Sequence, residues 1–522
     1  MKLRYTLFLC LLILATLAGC VFGGSSIATQ PAQQTPAPQA TQANQGAEPA
    51  ATAAPNGALD PSDLTIDPAA GLIQAEQAGS AGQSGLTEYR IDLRVAGDLS
   101  SYQGRQLVKY TNREDKALEK IIFRLFPNTS KAGLQVDSVK VDGKDVTGET
   151  THEQTAYEVN LPQPLEPGKS VELDMIFSSS LPLDMGGNYG LFGFFEDVLV
   201  MDQFYPVIPV FDDEGWNVEN PPPVGDLTYN DISRYIVRLH LPSGYEVAGS
   251  GSELSRKESG SEVEIIYALG LSRDFYFAAS AQFTVISELF GETKVTAYTL
   301  KKYENKAKDA LKTTIDAMRI YSERFGSYPY TELDVLSTPM QALGMEYPGL
   351  VDIALMLYDP NEKIGDNPAT FFTEATIAHE VAHQWFYSII GSDQVDEPWV
   401  DEAITQYATG LYYLDMYGPG GAEAYQESWY QRWDRTERAE IPVGMPSANY
   451  EPQQYSPIVY GRGPIFLKAL EEKLGQEKMN ALMKEYTATY RWKIGTAAEF
   501  RALADKTCGC DLSELFNAWV GE

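Results

Sequence analysis

The chain has 522 residues, a formal net charge of −32 and a pI near 4.5. That balance excludes a nucleic-acid binder, which needs a basic footprint on phosphate. It also excludes adsorption to anionic lipid through a polybasic patch. With 44% hydrophobic residues the length suffices for two or three domains with sizeable cores, and the acidity reads as a device for solubility.

Residues 1–20 read as an address rather than as structure. Lys2 and Arg4 precede an apolar run from Leu7 to Leu17, followed by Ala18, Gly19 and Cys20. This is the pattern of a secretory signal, and the run is too short for an ordinary membrane span. Leu17-Ala18-Gly19-Cys20 resembles the lipobox of bacterial lipoproteins. The resemblance implies that Cys20 becomes the lipidated first residue of an exported protein, held at a membrane and facing outside the cytoplasm. Cys10 leaves with the signal. Only Cys508 and Cys510 then remain, so no disulfide framework is expected, and Cys-Gly-Cys reads as a turn too tight for an easy disulfide.

Residues 21–85 read as a tether. Between 23 and 58 the composition is mostly Ala, Gln, Pro, Thr and Gly, with Glu48 the only charge. Such a stretch cannot bury a core. A coil of about 60 residues spans on the order of 40 Å, enough to hold a folded part clear of a membrane.

From 86 to 285 the texture is that of an antiparallel β domain. Tyr89, Ile91, Leu93 and Val95 alternate with polar residues, and similar runs follow at 105–110, 119–126, 135–140, 155–160 and 170–178. Asp142-Gly143 and Pro167-Gly168 punctuate them as turns, and further runs lie at 234–241, 263–269 and 274–279. His152 and His240 stand alone there and read as surface and packing residues.

From 286 to 522 the pattern becomes mainly helical. An amphipathic helix is expected over 302–325, then a strand at 333–336 and a strand with a turn over 341–353. Residues 369–390 carry no Gly or Pro and read as one helix. Helices follow at 399–417, 420–437, 463–473, 476–490, 496–505 and 511–519.

The chemistry concentrates in residues 371–402, where His379, Glu380 and His383 form H-E-x-x-H and Glu402 follows nineteen residues after His383. On a helix, positions i and i+4 share a face, so His379 and His383 aim two imidazoles at one point. Two nitrogens and the carboxylate of Glu402, returned by the next helix, suit three corners of a catalytic zinc site with the fourth open to water. Glu380 lies beside them as the general base. One Zn2+ per chain is expected, zinc being inferred from ligand type.

These residues resemble a family, the gluzincin aminopeptidases of the aminopeptidase N and leukotriene hydrolase type. HEVAHQWF followed by PWVDEAITQY looks like its metal signature. Phe325 to Tyr330 is similar to its F-G-P-Y-P-Y segment. Gly344-Met345-Glu346 resembles its G-x-M-E-N exopeptidase motif, and Val459 to Gly463 its Y-x-K-G segment. The order and spacing hold over roughly 200–520. The resemblance implies a multidomain α+β chain: an N-terminal antiparallel β-sandwich, then a thermolysin-like, mainly helical zinc metallopeptidase domain. It implies that Tyr460 donates to the oxyanion, that Glu346 binds the substrate's α-amine, and that Gly344 and Met345 lie along the substrate backbone.

Several positions depart from that pattern. Tyr347 replaces the motif's Asn, Leu343 its first Gly, and Arg462 the Lys after the tyrosine. The second amine-binding glutamate of the family, in a Q-x-E segment, finds only Gln203-Phe204-Tyr205. The large C-terminal helical domain of many relatives has no counterpart, so an uncapped site is expected.

The function expected is release of N-terminal residues from peptide substrates, with no obligate protein partner. The alternatives are an endopeptidase or other zinc hydrolase without a free-amine requirement, and a catalytically silent binding lipoprotein on the same scaffold.

Overall fold

The computed structural model describes residues 58–521 except 131, 186–188, 221–223 and 227. The signal, Cys20 and the tether through residue 57 lie outside the described residues. No described helix is long and apolar enough to cross a membrane.

Residues 58–85, assigned to the tether from their composition, are instead ordered and docked. Short 3-10 turns at Pro61–Asp63 and Pro68–Gly71 lead into a helix, Gln74–Gly82. Two of their apolar side chains go fully inside, Leu64 at 1% and Leu72 at 0% exposure, while Ile66 stays exposed. The backbone of this strap bonds to both halves of the protein. Asp60 N–H donates to Asp92 (2.9 Å), Ile73 N–H to the Pro329 carbonyl (2.9 Å), and Arg491 pairs with Glu76 at 2.8 Å. Polar composition hid a segment that is held by hydrogen bonds rather than by a core of its own.

The alternation that begins at Tyr89 forms the strand Thr87–Val95, with Tyr89, Ile91, Leu93 and Val95 buried. It lies inside an eight-stranded sheet ordered Ser252–Ser259, Glu262–Ser272, Ser233–Pro242, Thr87–Val95, Ser101–Thr111, Ser170–Ser180, Gln135–Val141, Lys144–Val146. Only the pairing of Thr87–Val95 with Ser233–Pro242 is parallel. A four-stranded sheet (Glu246–Gly249, Phe277–Ser280, Val198–Met201, Phe192–Phe195) and a three-stranded one complete the β-rich half. His240 packs inside it, its ring nitrogens 3.0 Å from Asp92 and 3.1 Å from Glu262, while His152 is exposed on a turn.

The second half opens with a five-stranded sheet ordered Phe283–Phe290, Thr293–Leu300, Glu332–Thr338, Leu350–Ala354, Gly344–Met345. Thr293–Leu300 and Glu332–Thr338 are parallel, which demands a crossover, and the helix Ala307–Phe325 supplies it. The expected helix over 369–390 is shorter than the sequence suggests. Its α part is Thr373–Ala382, after which a π-type turn, Gln384–Ile389, breaks the ladder at Phe386 (φ −106°, ψ 42°). The consecutive rings Trp385, Phe386 and Tyr387 are all buried, and one straight helix could not face all three inward. Helices 399–417 and 420–437 meet at Gly418 and Pro419, which bend one element, Pro398–Asp434.

Arg273 fastens the halves together. Fully buried, it donates to the carbonyls of Tyr387 (2.7 Å), Asn230 (3.0 Å) and Lys493 (2.8 Å). Cys508 and Cys510 are joined, against the expectation of a plain turn. Gly509 sits in the left-handed region (φ 71°), and that turn brings the two Cα atoms to 5.1 Å.

Candidate active site

The metal-type cluster assembles as the i, i+4 spacing requires. His379 and His383 lie at the end of Thr373–Ala382, their rings 4.7 Å apart and nearly perpendicular. Their Nε2 atoms are 3.2 Å apart. Glu402 Oε2, from near the start of Pro398–Asp434, lies 3.2 Å from one and 3.5 Å from the other. All three residues are buried.

This donor set fits a divalent metal. His383 Nδ1 lies 2.8 Å from Asp401 Oδ1, so that nitrogen carries the proton and Nε2 offers its lone pair inward. Three acceptor atoms converging on one buried point are stable only around a cation. Two imidazoles and one carboxylate are the ligand chemistry of zinc. Among the described residues, His379, His383 and Glu402 are one of three groups close enough to hold an ion.

Glu380 faces the cluster from the same helix, and Glu346 meets it there: carboxyl oxygens of Glu346 and Glu380 lie within 4.8 Å of each other and of a His383 nitrogen. Gly344, on the edge strand paired with Leu350–Ala354, lets this happen. A Cβ built on it would overlap the Glu380 carboxyl, 2.6 Å from its Cγ. Met345 is half-buried beside it. Gln384 pins the following loop to the metal helix, accepting from Gly349 N–H (2.9 Å) and donating to the Tyr347 carbonyl (2.9 Å).

Tyr460 sits on a π-type turn, Ile458–Arg462, and donates its hydroxyl to Glu402 Oε1 at 2.6 Å. The sequence pattern gave no warning of that turn or of the short helix Pro452–Pro457 before it. Arg462 points away: it donates to the carbonyls of Trp519 (2.6 Å) and Ala518 (2.9 Å) and packs on the Trp519 ring.

The two departures from the resembled family's amine-binding motifs are accounted for. Tyr347 turns out of the site and stacks on Tyr276 with ring centroids 3.9 Å apart. Tyr205, where the resemblance places a second amine-binding glutamate, is fully buried among Tyr89, Phe204 and Tyr235.

Three residues of the site were not found from sequence. Asp401 orients His383; its only cue was adjacency to Glu402. Gln394 donates to Asp401 (2.5 Å) and to Glu346 (3.3 Å). Asp226 reaches in from the β-rich half, its carboxyl oxygen within 4.8 Å of those of Asp401 and Glu402. It lies in a Pro- and Gly-rich loop with no periodicity, where a lone carboxylate carries no signal.

The electrostatics follow from burial and crowding. Burial, then Glu346, pushes Glu380 well above the usual carboxylate range. Burial, then Glu402, does the same to Asp226. Glu402 goes the other way: burial opposes ionisation, but His383 and His379 outweigh it and hold the carboxyl well below that range. For His383 burial favours the neutral ring, yet Asp401, Glu346 and Glu402 together hold its proton affinity well above normal. Among the described residues, none of these five carboxylates pairs with a Lys or Arg.

Residues 309–519 match the family model described as the peptidase family M1 domain. Aminopeptidase M1-B of Oryza sativa subsp. japonica is 24% identical over 242 residues, 44% of this chain and 27% of that protein. Probable aminopeptidase 1 of Sulfurisphaera tokodaii is 22% identical over 444 residues, 80% of this chain and 51% of that one. This chain thus spans about half or less of the length of these curated relatives. An M1 zinc metallopeptidase from Deinococcus radiodurans shares the fold, with a TM-score of 0.66, 20% identity, and coverage of 84% of this chain and 94% of that one. Over residues 309–519, this chain is thus similar to peptidase family M1.

Proposed function

We propose that this chain is a zinc aminopeptidase that releases N-terminal residues from peptides. One observation carries the reading: Glu346 is buried at 5% exposure beside Glu380 and the metal-type cluster, with no Lys or Arg paired to it among the described residues. A carboxylate so placed needs a cation from the substrate, and the α-ammonium of a peptide is that cation.

His379, His383 and Glu402 would hold one zinc per chain. Zinc, when bound, polarises the scissile carbonyl and makes water acidic enough to attack at neutral pH. Glu380 takes the proton of the attacking water and passes it to the leaving amine. Tyr460 moves its hydroxyl hydrogen bond from Glu402 to the developing oxyanion. Gly344 and Met345 offer the edge of the five-stranded sheet to the substrate backbone.

The finer architecture belongs to the same reading. Rings from the eight- and four-stranded sheets meet, Tyr102 on Phe192 at 6.1 Å, which supports a β-sandwich. The metal helix packed behind a sheet that ends in the substrate edge supports a thermolysin-like second half. The signal pattern and Cys20 support an exported enzyme, lipid-anchored and facing outside the cytoplasm, acting on peptides near a membrane. An endopeptidase is the second reading, favoured only by the burial of Tyr205 where a second amine anchor is expected.

The test is a pair of substrates given to the zinc-loaded full chain: one peptide with a free amino terminus and its N-acetylated twin. Removal of the first residue from the free peptide alone is expected. Equal cleavage of both at internal bonds would establish the endopeptidase, and loss of all cleavage in Glu380→Gln with zinc retained separates the enzyme from a contaminant.

A further inference from the structure

Gln394 lies in the loop between the metal helix and Pro398–Asp434, buried at 2% exposure. Its backbone is fixed from behind. Ser447 Oγ donates to the Gln394 carbonyl at 3.2 Å, and Ser447 N–H donates to the Val395 carbonyl at 2.7 Å. The side-chain amide reaches three groups from three parts of the chain. Oε1 accepts from Thr228 Oγ1 at 2.6 Å, while Nε2 donates to Asp401 Oδ2 at 2.5 Å and to Glu346 Oε1 at 3.3 Å. The network fixes which end is which, because a flipped amide would turn its oxygen onto two carboxylates.

These three bonds are unequal. The two short ones tie the amide to Thr228 and to Asp401, whose other oxygen is held by His383 Nδ1 at 2.8 Å. The long one runs to Glu346, the carboxylate that must adjust when a substrate arrives. Gln394 is therefore a fixed donor facing a carboxylate at a sheet edge. It engages one oxygen of Glu346 and leaves the other for an entering cation. Neutrality matters as much as geometry. A lysine or arginine here would also orient Glu346, but it would cancel the charge that attracts an ammonium. An apolar side chain would leave two buried carboxylates short of a donor. An amide orients the charge without neutralising it.

Resting on the aminopeptidase reading above, we propose that Gln394 is a positioning residue for free-amine recognition. It acts through Glu346, holding that carboxylate in the orientation that receives the substrate's α-ammonium, and it touches no reacting atom. Its short bonds to Asp401 and Thr228 supply the rigidity that such a support needs.

The test measures binding rather than turnover. In the zinc-loaded full chain carrying Glu380→Gln, which removes the proposed base, calorimetry gives the affinity for a tripeptide and for its desamino twin, in which hydrogen replaces the ammonium. Gln394→Met keeps the length of the side chain and deletes the amide. It is expected to weaken the free-amine tripeptide by about 10-fold, the worth of one hydrogen bond to a charged group, and to leave the desamino twin unchanged. With Glu346→Gln already in place, Gln394→Met should alter neither affinity, since its effect runs through Glu346. Gln394→Lys keeps a donor to both carboxylates, and with it the fold, but its own ammonium takes the place of the substrate's. The two ligands should then bind equally. A preference for the free amine retained in Gln394→Lys, or a Gln394→Met effect that survives Glu346→Gln, overturns the proposal. So does equal weakening of both ligands with loss of zinc, which would make Gln394 a support for Asp401 alone. If Glu346→Gln abolishes the preference and Gln394→Met leaves it intact, the positioning role falls and the aminopeptidase reading stands. If Glu346→Gln leaves the preference intact, both fall together.

Discussion

Nδ1 of His383 lies 2.8 Å from Oδ1 of Asp401, the residue immediately before Glu402 of the proposed metal site. One helical turn thus delivers a ligand and the group that orients another. Asp401 fixes the tautomer of His383 and raises its basicity as a ligand. Asp401→Asn should therefore lower zinc affinity by about 10- to 100-fold, as loss of such outer contacts does. Competition with a chelator of known affinity measures it directly. An unchanged affinity would mean that His383 is held by its packing alone.

Gly344→Ala should disable the enzyme without unfolding it. The new methyl would overlap the Glu380 carboxyl, the mobile end of a side chain, so Glu380, the proposed base, would move rather than the backbone. A displacement of about 1 Å at a reacting group is worth on the order of 10²-fold in rate. Turnover should fall by about that factor, while zinc content and melting temperature stay near those of the parent. A large fall in melting temperature would show that the strand, not the base, had yielded.

The parts of this molecule that could be read from its sequence share a physical character. The i, i+4 pair of histidines, the alternation from Tyr89 to Val95 and the break at Gly418 and Pro419 are local consequences of backbone geometry. What stayed hidden depends on contacts distant in sequence. The strap at 58–85 is polar and holds on through backbone hydrogen bonds to residues as remote as Pro329. Asp226 joins Asp401 and Glu402 only because two halves of the chain close on each other. The bend at Phe386 was masked by good helix composition, since propensity cannot announce that three adjacent rings must all be buried. The Cys508–Cys510 bond depends on the backbone twist at Gly509, which spacing alone does not give.

Arg273 predicts a mutation that loosens the two halves without touching the site's own side chains. Its guanidinium satisfies three carbonyls from the Asn230, Tyr387 and Lys493 segments. In Arg273→Met the aliphatic volume remains but those acceptors are stranded in a dry seam. Each unsatisfied buried acceptor costs about 1–3 kcal/mol. The expected loss is about 3 kcal/mol or more, read as a lower urea midpoint. Wild-type stability in the variant would mean that water replaces the guanidinium at no cost.

Asp352 predicts how stability depends on pH. It lies on the strand Leu350–Ala354, fully buried, and its Oδ2 accepts from Thr338 Oγ1 and Tyr276 OH, both at 2.8 Å. Burial pushes its carboxyl up to about 8, the two hydroxyl bonds opposing without prevailing. The unfolded chain has an ordinary carboxylate there, so the folded state binds the proton more tightly. Its contribution to stability is therefore complete below the unfolded value of about 4 and is lost as pH rises toward 8, by at most about 1.4 kcal/mol per pH unit. Burial places Asp274 at about 7 and Asp202 at about 8, so both add to the same decline. Asp352→Asn keeps an acceptor for both hydroxyls and carries no titrating proton. Urea midpoints at pH 5 and pH 8 should lie closer together in this variant than in the parent, with near-parental stability at pH 5. An identical spread in the two proteins would show that Asp352 stays ionised in the fold, held by Thr338 and Tyr276 in spite of its burial.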